Sequence, residues 1–156
     1  MPNDLQPSPG RDVYLALVQA HEVLVGEFAE LFRRHGTTQA QFNVLRVLVQ
    51  ASKGTASCAE IGERLIHRVP DVTRLIDRME AGGWVARRRS DQDRRVVLVS
   101  ITEAGQALCE GLYGDVEALH ARQTAHLPPA DLTRLAADLT RLHTGRPSPS
   151  AASGRA

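Results

Sequence analysis

Residues 72–102 read VTRLIDRMEAGGWVARRRSDQDRRVVLVSIT, and this stretch decides the fold. Its first part carries apolar side chains at the spacing of one helix face, at Val72, Leu75, Ile76 and Met79. The pair Gly82-Gly83 ends the helical pattern. The period then changes, and residues 84–89 and 95–101 have the composition of two short strands joined by polar residues. The stretch therefore predicts a helix followed directly by a β-hairpin.

A second short helix is predicted immediately upstream. Ser57 and Glu60 have the spacing of a capping box, which opens a helix through Leu65. Pro70 fits the first turn of the helix that follows, where its missing N–H does no harm. Two short helices with a tight connection, followed at once by a hairpin, predict a winged helix-turn-helix over about residues 38–101. The second helix of such a motif is the one that enters the major groove of duplex DNA.

The remaining segments are predicted to be helical. Helical periodicity runs from Asp12 to Arg34, onward from Thr38, from Thr102 to about Ala125, and after Pro129. The fold class is therefore mainly α, with six helices and a small β-hairpin wing. We expect one domain over residues 11–143, flanked by disordered tails at 1–10 and 144–156, because both ends are poor in apolar residues.

The first helix carries apolar residues on more than one side. Val13, Leu17 and Leu24 recur at near-heptad spacing, and Tyr14 and Val18 lie alongside them. A helix that is apolar on two sides has to be buried on two sides. In a small domain this pattern indicates a partner chain.

Basic charge is concentrated on the predicted helix-turn-helix and hairpin. Residues 64–95 hold nine arginines and five acidic residues, a local charge of +4, whereas the rest of the chain holds ten basic and thirteen acidic residues, or −3. One basic face on a near-neutral body is the electrostatic footprint of a nucleic-acid binder.

The side of the second helix opposite its apolar stripe is predicted to face DNA. At about 100° per residue, Arg74 and Asp77 point outward, and Thr73 and Arg78 lie on the flanks. Asp71 has two interpretations. It accepts a hydrogen bond from a cytosine amino group, or it is a favourable charge at the positive end of the helix dipole.

The hairpin tip, residues 91–95, places Arg94 and Arg95 beyond the strands. Arginine side chains there suit the electronegative minor groove and the phosphates beside it. An ordinary solvated loop is the alternative, but the position directly after a helix-turn-helix favours DNA contact. The complete set of predicted DNA contacts is Arg68, Asp71, Thr73, Arg74, Arg78, Arg88, Arg94 and Arg95.

The sequence offers no evident site for catalysis or for a metal ion. It has no phosphate-binding glycine loop, nucleophile elbow or metal-ligand helix motif, and its six histidines are scattered. Cys58 and Cys109 match no paired ligand spacing, so inert thiols are expected, although the helix start at Cys58 is a place where a thiol pKa can fall. No apolar run is long enough for a membrane span. We expect a soluble, cytoplasmic, non-enzymatic protein without a cofactor.

The segments 72–80, 83–85 and 91–105 (DQDRRVVLVSITEAG) resemble the multiple-antibiotic-resistance regulator (MarR) family of winged-helix repressors. The resemblance covers roughly residues 11–143. It implies a homodimer held by helices at about 11–35 and 103–143, with Thr73 and Arg74 in the major groove and Arg94 at the wing tip. Gln92 stands where the commonest family pattern has arginine, which leaves the choice between Arg94 and Arg95 open. The predicted dimer interface comprises Val13, Leu17, Leu24, Leu119, Leu135, Leu139 and Leu142.

The resemblance also implies a mechanism. Such a protein binds a pseudo-palindromic operator in double-stranded DNA as a homodimeric repressor, and a small aromatic or phenolic effector releases it. Some family members sense peroxide through a cysteine in the first helix, which this chain lacks. The alternative is a winged-helix protein-interaction module or antirepressor without operator binding, and the charge of +4 on residues 64–95 weighs against it.

Overall fold

The computed structural model describes residues 8–66, 69–90 and 93–145. Within these ranges the chain forms six α-helices and a three-stranded sheet, which confirms the predicted order of four helices, a hairpin and two helices. The elements are α1 (Pro9–Arg34), α2 (Gln39–Val49), a 3-10 turn (Ser52–Gly54), β1 (Thr55–Ser57), α3 (Cys58–Arg64), α4 (Val72–Ala81), β2 (Val85–Arg89), β3 (Val97–Ile101), α5 (Glu103–Thr124) and α6 (Pro129–Thr144).

Side-chain caps set the helix starts. Complete capping boxes open α2, through Thr38 and Gln41, and α3, through Ser57 and Glu60. Helix α1 begins at Pro9 rather than at Asp12, because the Ser8 hydroxyl accepts the Arg11 amide at 3.2 Å. The last part of the predicted N-terminal tail is therefore helical. The remainder of that tail, residues 1–7, and residues 146–156 of the other tail lie outside the described residues.

The prediction that Pro70 lies in the first turn of α4 is wrong, because this helix begins at Val72. Asp71 is the capping residue, with φ −140° and ψ 88°, so the chain is not yet helical there. Its carboxylate accepts the Arg74 amide at 2.9 Å. A capping carboxylate satisfies a backbone donor that has no partner inside the helix, and it fixes where the helix starts.

Strand β3 lies between β1 and β2 in an antiparallel sheet. The hairpin strands were predicted, but β1 was not, because Lys53-Gly54-Thr55 was interpreted as the loop that ends the preceding helix. The 3-10 turn places Lys53 and Gly54 at φ 56° and 65°, and the chain then joins the sheet with Thr55 opposite Ser100. The hydroxyl oxygens of these two residues are 2.8 Å apart.

The apolar stripe of α4 packs into the core as predicted. Leu75, Ile76 and Met79 are at most 2% exposed, and Val72 is half-buried beside them. They pack with buried residues of α2, α3, the sheet and α5, including Leu45, Leu48, Ile61, Val85, Val99 and Leu112. Burial of one side of α4 leaves its opposite side in solvent.

The turn between α4 and β2 is anchored on the first turn of α5. The Thr102 hydroxyl donates to the Gly83 carbonyl at 2.7 Å and accepts the Gly105 amide at 3.0 Å. The Thr102 amide donates to the Trp84 carbonyl at 3.1 Å. A Cβ at Gly105 would overlap the Trp84 carbonyl oxygen, so only glycine allows this approach.

The chain divides into two compact units, Met1–Leu119 and His120–Ala156. The first contains α1 to α4, the sheet and most of α5. The second contains the end of α5 and all of α6, and α6 has no buried residue along its 16 positions.

Candidate nucleic-acid interface

The solvent-facing side of α4 carries the side chains predicted to enter the major groove. Thr73, Arg74, Asp77 and Arg78 are all exposed, and the Arg74 side chain is 83% exposed. The Nε of Arg78 donates to the Arg74 carbonyl at 3.4 Å, which holds the Arg78 guanidinium along the helix. This face presents a hydroxyl and two guanidinium groups, which are the donors that suit base edges and phosphates.

The structure favours the helix-terminus interpretation of Asp71. One carboxylate oxygen accepts the Arg74 amide, and the other lies 4.0 Å from the Arg74 Nε. The carboxylate therefore sits at the positive end of α4, where a negative charge is stabilised. A base contact by Asp71 stays a prediction.

A short turn at the hairpin tip presents Arg94 and Arg95. The Asp93 carboxylate accepts the Arg95 amide at 2.9 Å, and the Asp93 carbonyl accepts the Val96 amide at 2.9 Å. Within residues 8–66, 69–90 and 93–145, neither guanidinium makes an ion pair or a side-chain hydrogen bond. The rest of the predicted tip, residues 91–92, and the predicted contact Arg68 lie outside the described residues.

Arg88 is exposed on β2, as a DNA contact requires. It lines an open groove of about 660 Å³ together with Ser57, Ser90 and Leu98. Its side chain extends from the same strand that leads into the hairpin tip.

Arg87 has a different environment from its neighbours, and sequence reasoning did not single it out. Its guanidinium is only 27% exposed and contacts two carboxylates of α4, those of Asp77 and Glu80, each at 2.6 Å. Its Nε donates to Glu80 at 2.8 Å and its amide donates to Glu80 at 2.9 Å. These hydrogen bonds hold the pKa of the Glu80 carboxyl below its ordinary value and raise the pKa of Arg87.

A signal for this arrangement was present in the sequence. Side chains alternate between the two faces of a strand, so Arg87 shares a face with the buried Val85, two positions earlier. Asp77 and Glu80, one helix turn apart on α4, are the acceptors that such an inward-facing guanidinium needs.

Comparisons with known proteins agree on one family. The model of the MarR family matches residues 35–96. The transcriptional repressor MdtR of Bacillus subtilis is 30% identical over 125 residues, which cover 80% of this chain and 79% of the relative. The chain belongs to the MarR family.

Solved structures extend the likeness to most of the chain. A MarR transcription factor from Planctomyces limnophilus is 34% identical with a TM-score of 0.68, covering 88% of this chain and 98% of that one. BpsR of Bordetella bronchiseptica, whose DNA binding is regulated by 6-hydroxynicotinic acid, is 26% identical with a TM-score of 0.73, covering 85% and 98%.

Most of the predicted dimer residues of this MarR-family chain lie on its surface. On α1, Val13 is 49% and Leu24 38% exposed, and Leu17 is half-buried. On α6, three predicted leucines are between 36% and 48% exposed: Leu135, Leu139 and Leu142. One assignment needs correction. Leu119 is 3% exposed and belongs to the core of its own chain, so it has no surface left for a partner.

The two thiols of this MarR-family protein lack the environment of a reactive cysteine. Burial raises the pKa of Cys58 and that of Cys109, so both stay protonated near neutral pH. The possibility that the start of α3 lowers the pKa of Cys58 is therefore wrong. Across the described ranges, no cluster of three or more His, Cys, Asp or Glu side chains is placed to hold a metal ion. In the same part of the chain, no helix has the length and apolar content to cross a membrane.

Proposed function

We propose that this MarR-family protein is a sequence-specific regulator of transcription that binds double-stranded DNA. The observation that carries the proposal is the exposed face of α4, with Thr73, Arg74 and Arg78, joined to a hairpin whose tip presents Arg94 and Arg95. In a winged helix-turn-helix the helix reads base edges in the major groove, and the wing contacts the minor groove and phosphates.

The active form is a homodimer. Helix α1 and helix α6 each carry exposed apolar side chains, and a second copy of the chain would remove them from water. A two-fold dimer presents two copies of α4, so its operator has pseudo-palindromic half-sites about one helical turn apart.

The dimer acts as a repressor, and a small aromatic or phenolic effector releases it. MdtR is a repressor, and 6-hydroxynicotinic acid, which regulates BpsR, is an aromatic acid. The effector would bind more tightly to a form of the dimer in which the spacing between the two copies of α4 does not match two successive major grooves. By thermodynamic linkage, effector binding then lowers the affinity for DNA. On this proposal the protein works in the cytoplasm, beside the bacterial chromosome, and catalyses no reaction.

Selection from a randomised duplex library tests the proposal. The full-length protein is expected to enrich one pseudo-palindromic sequence and to bind it with an affinity that falls steeply as salt rises. Aromatic acids and phenols are then added to the complex, and one class of them is expected to release the DNA. No binding to any duplex, even at low salt, would contradict the proposal and favour the protein-interaction module.

A further inference from the structure

A single guanidinium joins the two DNA-facing elements of this protein. Arg87 on β2 contacts Asp77 and Glu80, which lie one turn apart on α4. The contacts involve the side chain and the main chain, because the Glu80 carboxylate also accepts the Arg87 amide. We call these three residues the helix–wing clamp.

The clamp contacts an edge strand of the sheet. Strand β2 pairs with β3 on one side only, and Arg87 lies near the middle of β2, opposite Val99. Chain connection alone leaves the hairpin attached to α4 through the Gly82-Gly83 turn, where Gly83 has φ 73°. The pairing of β3 with β1 and the buried Val85 and Val99 also hold the hairpin. The clamp adds a direct attachment of β2 to α4 near the middle of the strand.

The clamp also sets the charge of the α4 face. Asp77 and Glu80 project from a helix that is proposed to lie against phosphates, where unpaired carboxylates would be repelled. The Arg87 guanidinium on the wing pairs with both of them. A guanidinium with both edges occupied by carboxylates has few donors left for DNA.

We propose that Arg87 is a positioning residue that fixes the wing against α4, and that it sets affinity and sequence selectivity without touching DNA. The inference rests on the DNA binding proposed above. The inference gives Arg87 a different role from the other arginines of residues 64–95, although the local charge count includes all of them equally.

A charge-matched pair of substitutions isolates the clamp. The double variant Arg87→Gln/Glu80→Gln removes the Arg87 guanidinium and its ion pairs with Asp77 and Glu80, and it keeps the net charge of the protein. Its control is Arg134→Gln/Asp131→Asn on α6, which removes an exposed ion pair with an N–O distance of 2.9 Å and also keeps the net charge. Arg94→Ala serves as the control for lost phosphate contacts. Binding is measured by fluorescence anisotropy over a range of salt, with a random duplex and with the duplex selected by the wild type.

Loss of positioning and loss of a phosphate contact give different results. We expect the clamp variant to bind the selected duplex about tenfold more weakly, which corresponds to about 1.4 kcal/mol. The three clamp residues carry a summed charge of −1 before the double substitution, and Asp77 alone carries −1 after it. The affinity for random duplex and the slope of log K against log[salt] should therefore match the wild type. Arg94→Ala should make that negative slope shallower by about 0.9, the value for one phosphate contact. The α6 control should change neither quantity.

Two results would overturn the inference. A slope that is shallower by about 0.9 in the clamp variant would show that Arg87 neutralises a phosphate directly. Unchanged affinity for both duplexes would show that the clamp has no role in binding. Thermal unfolding followed by circular dichroism checks the fold. If the double variant unfolds, Arg87→Lys is measured instead, since it keeps the charge but loses the forked geometry, and the same loss of selectivity is expected. Failure of the wild type to bind any duplex would instead contradict the proposed function.

Discussion

Arg74 is the residue of α4 best placed to read a base, because its side chain is 83% exposed on the side opposite the buried stripe. We expect Arg74→Ala to weaken binding to the selected duplex by about 1–3 kcal/mol, the usual value for an arginine that contacts a guanine edge. The loss should be smaller on random duplex, where base contacts contribute little.

Arg33→Ala is the control for Arg74→Ala. The Arg33 side chain is 73% exposed and pairs with Glu30. Both residues belong to α1, which is not part of the candidate interface on α4 and the hairpin. Arg33→Ala should bind like the wild type in the same anisotropy titration. Equal affinities of the wild type and Arg74→Ala for the selected duplex would contradict the assignment of α4 as the recognition helix.

The cysteines provide a prediction about chemistry rather than binding. Because burial raises the pKa of Cys58, its thiolate fraction near neutral pH is smaller than that of a free thiol. The variant Cys109→Ala, which leaves Cys58 alone, should react more slowly than free cysteine with a disulfide reagent, and its rate should keep rising above the ordinary thiol pKa. Release of the selected duplex by dilute peroxide, absent in Cys58→Ala, would refute this inert role.

The arginines show where sequence reasoning succeeds and where it ends at the scale of the residue. Helical periodicity was sufficient to place Thr73, Arg74 and Arg78 in solvent, because one buried stripe determines the opposite side of a helix. Residues 87–89 are three successive arginines, and residue type does not distinguish them. Only the contacts with the carboxylates of α4 distinguish Arg87. That distinction depends on tertiary packing between elements.

At the scale of the element, the first turn of α5 packs directly against the Trp84 backbone. Gly105→Ala should destabilise the protein by about 1–3 kcal/mol, because its Cβ would overlap the Trp84 carbonyl oxygen and force a backbone shift. Gly111 on the same helix is the matched control, since a Cβ there meets no atom within 4 Å. Gly111→Ala should stabilise by roughly 0.5–1 kcal/mol through its higher helix propensity.

Chemical denaturation of both variants measures these opposite effects. Equal stabilities of Gly105→Ala and Gly111→Ala would mean that the contact between α5 and the α4–β2 turn is loose. Such a result would also weaken the view that this turn holds one end of the hairpin in place.

The elements themselves were predicted more accurately than their ends. Capping boxes and apolar periodicity are local, so α2, α3, α4 and the hairpin were recognised from sequence. Strand β1 was missed because it has three residues and exists only through its pairing with β3. The start of α4 was misplaced because proline and aspartate are both common at helix starts, and the Asp71 carboxylate decided the boundary.

At the scale of the whole molecule, the exposed leucines of α6 predict the oligomeric state. Leu139→Glu places a charge on this apolar surface, so the dimer should dissociate to monomer, because burying an unpaired carboxylate is costly. Thr140→Glu adds the same charge at the next exposed position and should stay dimeric. Light scattering after size-exclusion chromatography measures both, and a monomeric wild type would contradict the proposed assembly.

Dimerisation was predictable from sequence in outline but not in every residue. Apolar periodicity on α1 and α6 exceeds what a single small domain buries, which points to a partner. Periodicity does not say which apolar side chain faces its own core, and Leu119 was misassigned for that reason. Its burial depends on how α5 packs with the other helices of the core.

Methylation interference on the selected duplex tests the central claim most directly. Dimethyl sulfate modifies guanine N7 in the major groove and adenine N3 in the minor groove, so one experiment reports on α4 and on the wing together. We predict that binding is blocked by guanine methylation in two successive major grooves, about 34 Å apart, and by adenine methylation in the minor grooves that flank them. Interference without two-fold symmetry, or confined to the minor groove, would contradict a dimer that inserts α4 into the major groove.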